Sequence, residues 1–254
     1  MTRTQFRIAL SRLRSPARVA QPIHVDTLGG FSVSVDGRKL GFGRKAPLRP
    51  LSLLKYLAAH AGHELPNAQV ASAIWPDKGD LSALRLLAVT LHRLRRLLGS
   101  PEALFYREGC IAADPRHVWC DAAAFEKMLD QSARSSREAE RLRLTARALA
   151  LYRGDFLAGE GRPSWVAQVR DRLRDRFVLA CATQGERYAA AARWEEARTC
   201  FQRGLEADES AEDLCLGLMT CYAALGQPLT AATAYRRFAL ALANRPVRES
   251  VTDL

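Results

Sequence analysis

Four arginines and no acid lie between Asp80 and Glu102, in a segment whose apolar residues recur at helical spacing. On a helix from 82 to 98, one side carries Ala83, Leu87, Leu91, Leu94 and Leu98 and is expected to face a core. The opposite side, with Thr90 at its margin, carries Ser82, Arg85, Leu86, Val89, Arg93 and Arg96. Arginine can donate two hydrogen bonds to a guanine edge, and an apolar side chain can contact a thymine methyl group. The pattern predicts a helix face with the chemistry needed to read the major groove of duplex DNA.

Further cations are placed in the sequence to contact phosphates: Arg44, Lys45, Arg49 and Arg107. Taken alone, the arginine face could be the solvated surface of an ordinary bundle helix. The charge distribution argues against this alternative. Residues 1–120 hold 18 Lys and Arg against 8 Asp and Glu, whereas residues 121–254 hold 20 against 19. A basic half joined to a nearly neutral half is typical of a nucleic-acid binder linked to a partner-binding module.

The elements that must position this helix follow the order strands, three helices, hairpin. Alternation of apolar and polar residues at 23–25 and 31–35, followed by Asp36-Gly37, predicts a β-hairpin. Helical spacing predicts helices at about 51–61, 67–75 and 82–98. A second hairpin is expected at 104–113, turning at Glu108-Gly109. This is the order of a winged helix-turn-helix preceded by a small sheet.

Beyond residue 117 every predicted element is a helix, at 122–131, 137–152, 164–191, 194–206, 211–225 and 229–243. The last four carry a 34-residue period, because Tyr188, Ala197 and Phe201 recur as Tyr222, Ala231 and Tyr235. That period is typical of tetratricopeptide repeats. The sequence thus predicts a mainly α protein with a small β component in three parts. These are a basic flexible tail at 1–22, an α+β winged-helix domain at 23–117 and an all-α tetratricopeptide-like domain at 118–254.

Patterns for catalysis and for cofactor or metal binding are missing from the sequence. Gly41, Gly43 and Lys45 lack the spacing of a phosphate-binding loop, and the His60, His63 and Glu64 cluster contains no HExxH motif. The six cysteines form no CxxC pair, so we expect reduced thiols in a cytoplasmic protein. The uncharged run at 214–235 is broken by Gly226-Gln227-Pro228, which favours two short helices over a membrane span. We expect no enzyme activity, no cofactor, no metal and no membrane insertion.

Residues 25–120 resemble the OmpR-type winged helix, in the version used by the SARP-type antibiotic regulatory activators. The segments that carry this resemblance are Leu28–Phe31, Ala73–Asp77 and Thr90–Gly99. Residues 120–254 are similar to the bacterial transcriptional activation domain (BTAD) that follows in that family. The matching positions there are Asp121, Phe125-Glu126, Leu151–Leu157, Trp165, Arg172–Arg174, Asp208, Glu212 and Leu218-Met219.

The resemblance implies a sequence-specific DNA-binding transcriptional regulator, and specifically an activator, that reads double-stranded promoter DNA with the helix at 82–98. It implies that the helical domain contacts RNA polymerase, a second protomer as a homodimer, or a regulatory partner. Two departures from the family pattern leave an alternative open, a protein-interaction adaptor whose winged helix no longer binds DNA. Asn67 stands where a basic residue is common, and the wing has Gly109-Cys110-Ile111 where Gly-Tyr-Arg is more usual.

Overall fold

The computed structural model describes residues 21–42, 46–161 and 163–243. Contacts divide the chain into two compact units, Met1–Leu173 and Arg174–Leu254. Within the described ranges the chain is mainly helical with small sheets near its N-terminus, which confirms the predicted fold class. The predicted basic tail at 1–22 lies, apart from its last two residues, outside the described ranges.

A four-stranded sheet opens the first unit. Its strands are β1 (Ile23–Asp26), β2 (Ser32–Val35), β3 (Arg38–Lys39) and β7 (Val118–Cys120). Their order in the sheet is β3-β2-β1-β7. Val25 pairs with Val33 across the antiparallel β1–β2 ladder, and both side chains are fully buried. Asp36 and Gly37 have φ values of 48° and 77°, as a two-residue turn with both central residues at positive φ requires. The predicted first hairpin is therefore present.

Three helices and a second sheet complete the winged helix. The helices are α1 (Leu48–Ala59), α2 (Asn67–Ile74) and α3 (Asp80–Leu98). The sheet is formed by β4 (Leu65–Pro66), β5 (Leu104–Arg107) and β6 (Cys110–Ala113). Their order in the sheet is β4-β6-β5. Both α1 and α2 pack against α3, around buried side chains that include Leu54, Val70 and Leu87. The β5–β6 hairpin turns at Glu108 and Gly109 as predicted, and it forms the wing.

Residues 118–173 pack with the first unit, so the contact boundary lies later than the one predicted after residue 117. β7 pairs in parallel with β1, with Val118 opposite Ile23. Helix α4 (Asp121–Arg134) contacts β1 and α1, and Leu28 forms a bridge with Phe156. By contacts, the first 56 residues of the predicted helical domain at 118–254 thus complete the core of the N-terminal unit.

The buried carboxylate of Asp121 ties the end of β1 to the start of α4. Its Oδ1 accepts hydrogen bonds from the Thr27 amide and hydroxyl, both at 2.7 Å, and from the Ala122 amide at 2.8 Å. Its Oδ2 accepts from the Leu28 amide at 3.0 Å and from Arg153 Nη2 at 3.1 Å. Burial raises the pKa of the Asp121 carboxyl, while the hydrogen bonds from Leu28 and Thr27 act in the opposite direction. Every polar atom of this side chain thus has a partner.

Two further helices complete the first unit. α5 (Glu138–Leu151) packs against α4, and α6 (Ser164–Ala190) begins in this unit and continues into the second. The Trp165 ring contacts Tyr56 edge-on, with centroids 5.0 Å apart. Arg170, which is buried, donates to the carbonyls of Phe156 and Leu157 at 3.0 and 3.1 Å. These contacts hold the start of α6 against the segment that follows α5.

In the second unit the remaining part of α6 is followed by α7 (Trp194–Ala207), α8 (Glu212–Ala224) and α9 (Pro228–Ala243). Phe201 is buried, and its ring lies against two glycines of neighbouring helices. A Cβ atom added to Gly185 or Gly217 would lie 2.5 or 2.6 Å from that ring. Phe201, an aromatic position of the predicted repeat, therefore packs against small residues of the neighbouring helices. No helix in the described ranges is long and apolar enough to cross a membrane, and the uncharged run at 214–235 is divided between α8 and α9.

Replacing Gly217 by alanine should lower the stability of the second unit by about 1–3 kcal/mol, as overpacking does. In a helix interior, alanine is more favourable than glycine by about 1 kcal/mol. Any loss of stability must therefore come from the collision with Phe201. Thermal unfolding of Gly217→Ala, Phe201→Leu and the double variant measures it. Because leucine vacates the space of the ring, the double variant should lose less than the two single losses combined. Additive losses, or a stabilised Gly217→Ala, would contradict the packing.

Five of the six cysteines are buried and take the place of small apolar residues: Cys120, Cys181, Cys200, Cys215 and Cys221. Burial raises the pKa of Cys120 and of Cys200 to about 12. These thiols are therefore protonated near neutral pH.

Candidate nucleic-acid interface

Local sequence accounts for both ends of α3. Asp80 lies in its first turn and Arg95 and Arg96 in its last, so the charges oppose the helix dipole at each end. Gly99 closes the helix at φ 64°, in the left-handed region that favours glycine, and its amide donates to the Arg96 carbonyl. The five apolar positions predicted to face the core are all buried, with Leu87 and Leu94 fully so. The orientation of the opposite face is therefore fixed by packing.

Six of the seven predicted α3 site residues lie together on this outward face: Ser82, Arg85, Leu86, Val89, Arg93 and Arg96. All six are exposed to solvent. Leu86 is 38% exposed and Val89 52%, so the face combines cationic with apolar surface.

One predicted site residue, Thr90, is buried and does not belong to the outward face. Only 5% of its surface is exposed, because it lies about 80° around the helix from Ser82, on the flank that packs against the rest of the unit. Its hydroxyl is therefore not available to a ligand on the outward face.

Several arginines of the chain pair with an acidic side chain close in sequence. Arg141, Arg193 and Arg198 each form an ion pair with a glutamate three residues away. Within the described ranges, by contrast, no residue forms a hydrogen bond or ion pair with the guanidinium groups of Arg85, Arg93 or Arg96. Their charge and their donors are available to an anionic ligand.

A shallow groove of about 610 Å³ lies between the start of α1 and the end of α3. It brings Arg49 near Arg93 and Arg96, alongside apolar surface from Pro47, Leu48 and Leu97. One donor of Arg49 is already used, because its Nη1 donates to the Ile74 carbonyl at 2.8 Å. Arg44 and Lys45, the other predicted phosphate contacts at this end, lie outside the described residues. The groove extends the cationic surface beyond α3 itself.

The wing presents the last predicted cation. Arg107 is exposed at the end of β5, and its guanidinium lies 4.7 Å from the centre of the Phe105 ring. The amide of Asn67 donates to the carbonyl of Gly109 at 2.8 Å, which fixes the wing turn to the start of α2. Arg107 is therefore carried by a hairpin that is anchored to the helices.

Two residues that the sequence analysis did not select also shape the site. Arg95 points away from the outward face, and its Nη2 donates to the Leu104 carbonyl at 2.8 Å, so it positions the wing against α3. Leu48 is 73% exposed at the rim of the groove. The sequence signal for Arg95 was its position on the helical wheel, which lies away from those of Arg93 and Arg96. No feature of the sequence marked Leu48.

Comparisons with known proteins agree with this architecture. Residues 120–246 match the family described as "Bacterial transcriptional activator domain". Among solved structures, the chain is similar to Mycobacterium tuberculosis EmbR in complex with a low affinity phosphopeptide, with a TM-score of 0.68 and 20% sequence identity. That match covers 88% of this chain and 60% of the EmbR chain, so the chain spans less than two thirds of its neighbour. No curated protein matches the sequence.

The EmbR likeness shows a shared fold across most of the chain, and the family match covers half of it. The protein therefore belongs to the bacterial transcriptional activator domain family.

Proposed function

We propose that the winged helix binds double-stranded promoter DNA sequence-specifically, with the outward face of α3 in the major groove. The observation that carries the proposal is the composition of that face. Three arginines that have no ion-pair partner among the described residues lie there with two exposed apolar side chains, on a helix whose opposite side is buried. Guanine edges and thymine methyl groups are the complementary features of the groove.

The dimensions of α3 fit this arrangement. From Ser82 to Arg96 the face extends about 21 Å at 1.5 Å per residue. The major groove is about 12 Å wide and admits an α-helix. Arg85 and Arg93 are assigned to base edges in this arrangement. Arg96, Arg49 and Arg107 flank them and are assigned to phosphates, as are Arg44 and Lys45.

The helical repeats are proposed to provide the protein contact. Membership of an activator-domain family supports a role as an activator that contacts RNA polymerase, a regulatory partner or a second protomer through this region. The charge pattern is consistent with that division, because residues 121–254 are nearly neutral and residues 1–120 are strongly basic.

Binding to DNA should depend steeply on salt. If about five to eight phosphates are neutralised, log K falls with log salt at a slope of about −4.5 to −7. Between 50 and 200 mM salt the affinity for a genomic fragment should then fall about 500- to 16,000-fold. Fluorescence anisotropy over a salt series measures the slope. A slope shallower than about −2 would contradict an extensive phosphate interface, and no binding at low salt would favour the adaptor alternative.

A further inference from the structure

An apolar pair on α3, Leu86 and Val89, is exposed and lies outside the buried core face of the helix. Leu86 and Val89 point outward, whereas the core contacts of α3 are made by the residues on its opposite face. They lie one helical turn apart, and Arg85 and Arg93 stand beside them on the same face. Two neighbouring apolar side chains beside arginines that have no partner in the described ranges indicate a ligand with small apolar groups set among anions and hydrogen-bond acceptors.

In the major groove of DNA, that apolar group is the C5 methyl of thymine. We propose that Leu86 and Val89 recognise thymine methyl groups, so that α3 selects sites in which thymine lies beside guanine. The proposal rests on the proposed DNA-binding function and adds the base that this part of the face prefers.

The spacing along α3 makes the proposal more specific. Leu86 and Val89 are offset by about 4.5 Å along the helix axis, and Val89 and Arg93 by about 6 Å. Successive base pairs are about 3.4 Å apart. The two apolar side chains therefore fit methyl groups on neighbouring base pairs. A guanine contacted by Arg93 would lie about two base pairs further along.

Deoxyuridine provides a direct test, because it differs from thymidine only in lacking the C5 methyl group. The full chain is first used to select a duplex from genomic DNA. Each thymine of that duplex is then replaced singly by deoxyuridine, and the Kd is measured. Removing one buried methyl group should raise the Kd of the wild-type protein about four-fold at one or two adjacent positions. In Leu86→Ala or Val89→Ala, the effect at the matching position should fall below about 1.5-fold.

Leu81→Ala is the matched control. Leu81 is 75% exposed on the same helix but lies outside the outward face, so this variant should keep the four-fold discrimination. Circular dichroism should show equal helix content in all three variants, since each replaces an exposed side chain.

Three results would overturn the proposal. If the wild-type protein prefers the selected duplex but no deoxyuridine changes the Kd by more than about 1.5-fold, methyl recognition is wrong and DNA binding stands. If Leu81→Ala loses the discrimination as fully as Leu86→Ala does, the effect does not come from the outward face. If the protein prefers no duplex over another, both this inference and the proposed function fail.

Discussion

Replacing Asp121 by alanine should lower the free energy of unfolding of the first unit by about 3–5 kcal/mol, through buried donors that lose their acceptor. The substitution removes the acceptor of five hydrogen bonds at once. It leaves the amides of Thr27 and Leu28 and the Thr27 hydroxyl without that acceptor in a buried site, and each such group costs about 1–3 kcal/mol. Because these groups join β1 to α4, the loss affects the whole unit.

Urea unfolding followed by tryptophan fluorescence measures this effect. Three of the four tryptophans, Trp75, Trp119 and Trp165, lie in the first unit, so the signal reports mainly on it. Asp114→Ala is the control, because that carboxylate pairs with the exposed Arg116 in a loop and should contribute at most about 1 kcal/mol. A loss below about 1 kcal/mol for Asp121→Ala would show that this carboxylate does not hold the unit together.

The outward face of α3 could be predicted from sequence because helical periodicity is a local property. The apolar spacing from Ala83 to Leu98 fixes which side must be buried, and the six exposed site residues follow from it. Thr90 was wrongly assigned to the site because it lies at the margin between the two sides of the helix, where periodicity does not determine whether a residue is buried. The neighbouring helices decide its burial, and they are remote in sequence.

The extent of the first unit could not be predicted in the same way. The parallel pairing of β1 with β7 joins residues about 95 positions apart, and the Asp121 hydrogen bonds span a similar separation. Neither leaves a local pattern. The family match begins at residue 120, whereas the contacts divide the chain at 173. The boundary of the family match therefore differs from the boundary defined by packing. Residues 120–173 belong to the family region, and they also complete the core of the winged-helix unit.

The cations around α3 show the same division between local and tertiary information. Arg49 was predicted from sequence to contact a phosphate, whereas Arg95 was not selected as a site residue. The structure shows that each already donates to a backbone carbonyl, of Ile74 and Leu104 respectively. For Arg49, only packing shows that part of the guanidinium already holds the scaffold.

Arg93→Ala should reduce binding to the best DNA site by about 1–3 kcal/mol, or about 5- to 160-fold, and should change binding to random DNA far less. Arg93 lies near the middle of the outward face and has no partner among the described residues. Arg107→Ala is the matched control, since the wing arginine is proposed to contact a phosphate. It should weaken binding to both kinds of DNA by a similar factor and flatten the salt slope by about one unit.

The ratio of specific to random-DNA affinity, measured for the wild type and these two variants at one salt concentration, tests base reading by α3 most directly. Both variants must keep the wild-type melting temperature, so that contact loss is not confused with unfolding. If α3 reads bases, the ratio falls at least five-fold for Arg93→Ala and stays within about two-fold of wild type for Arg107→Ala. Equal loss of specific and random binding in Arg93→Ala would contradict it, because α3 would then contact DNA without reading its sequence.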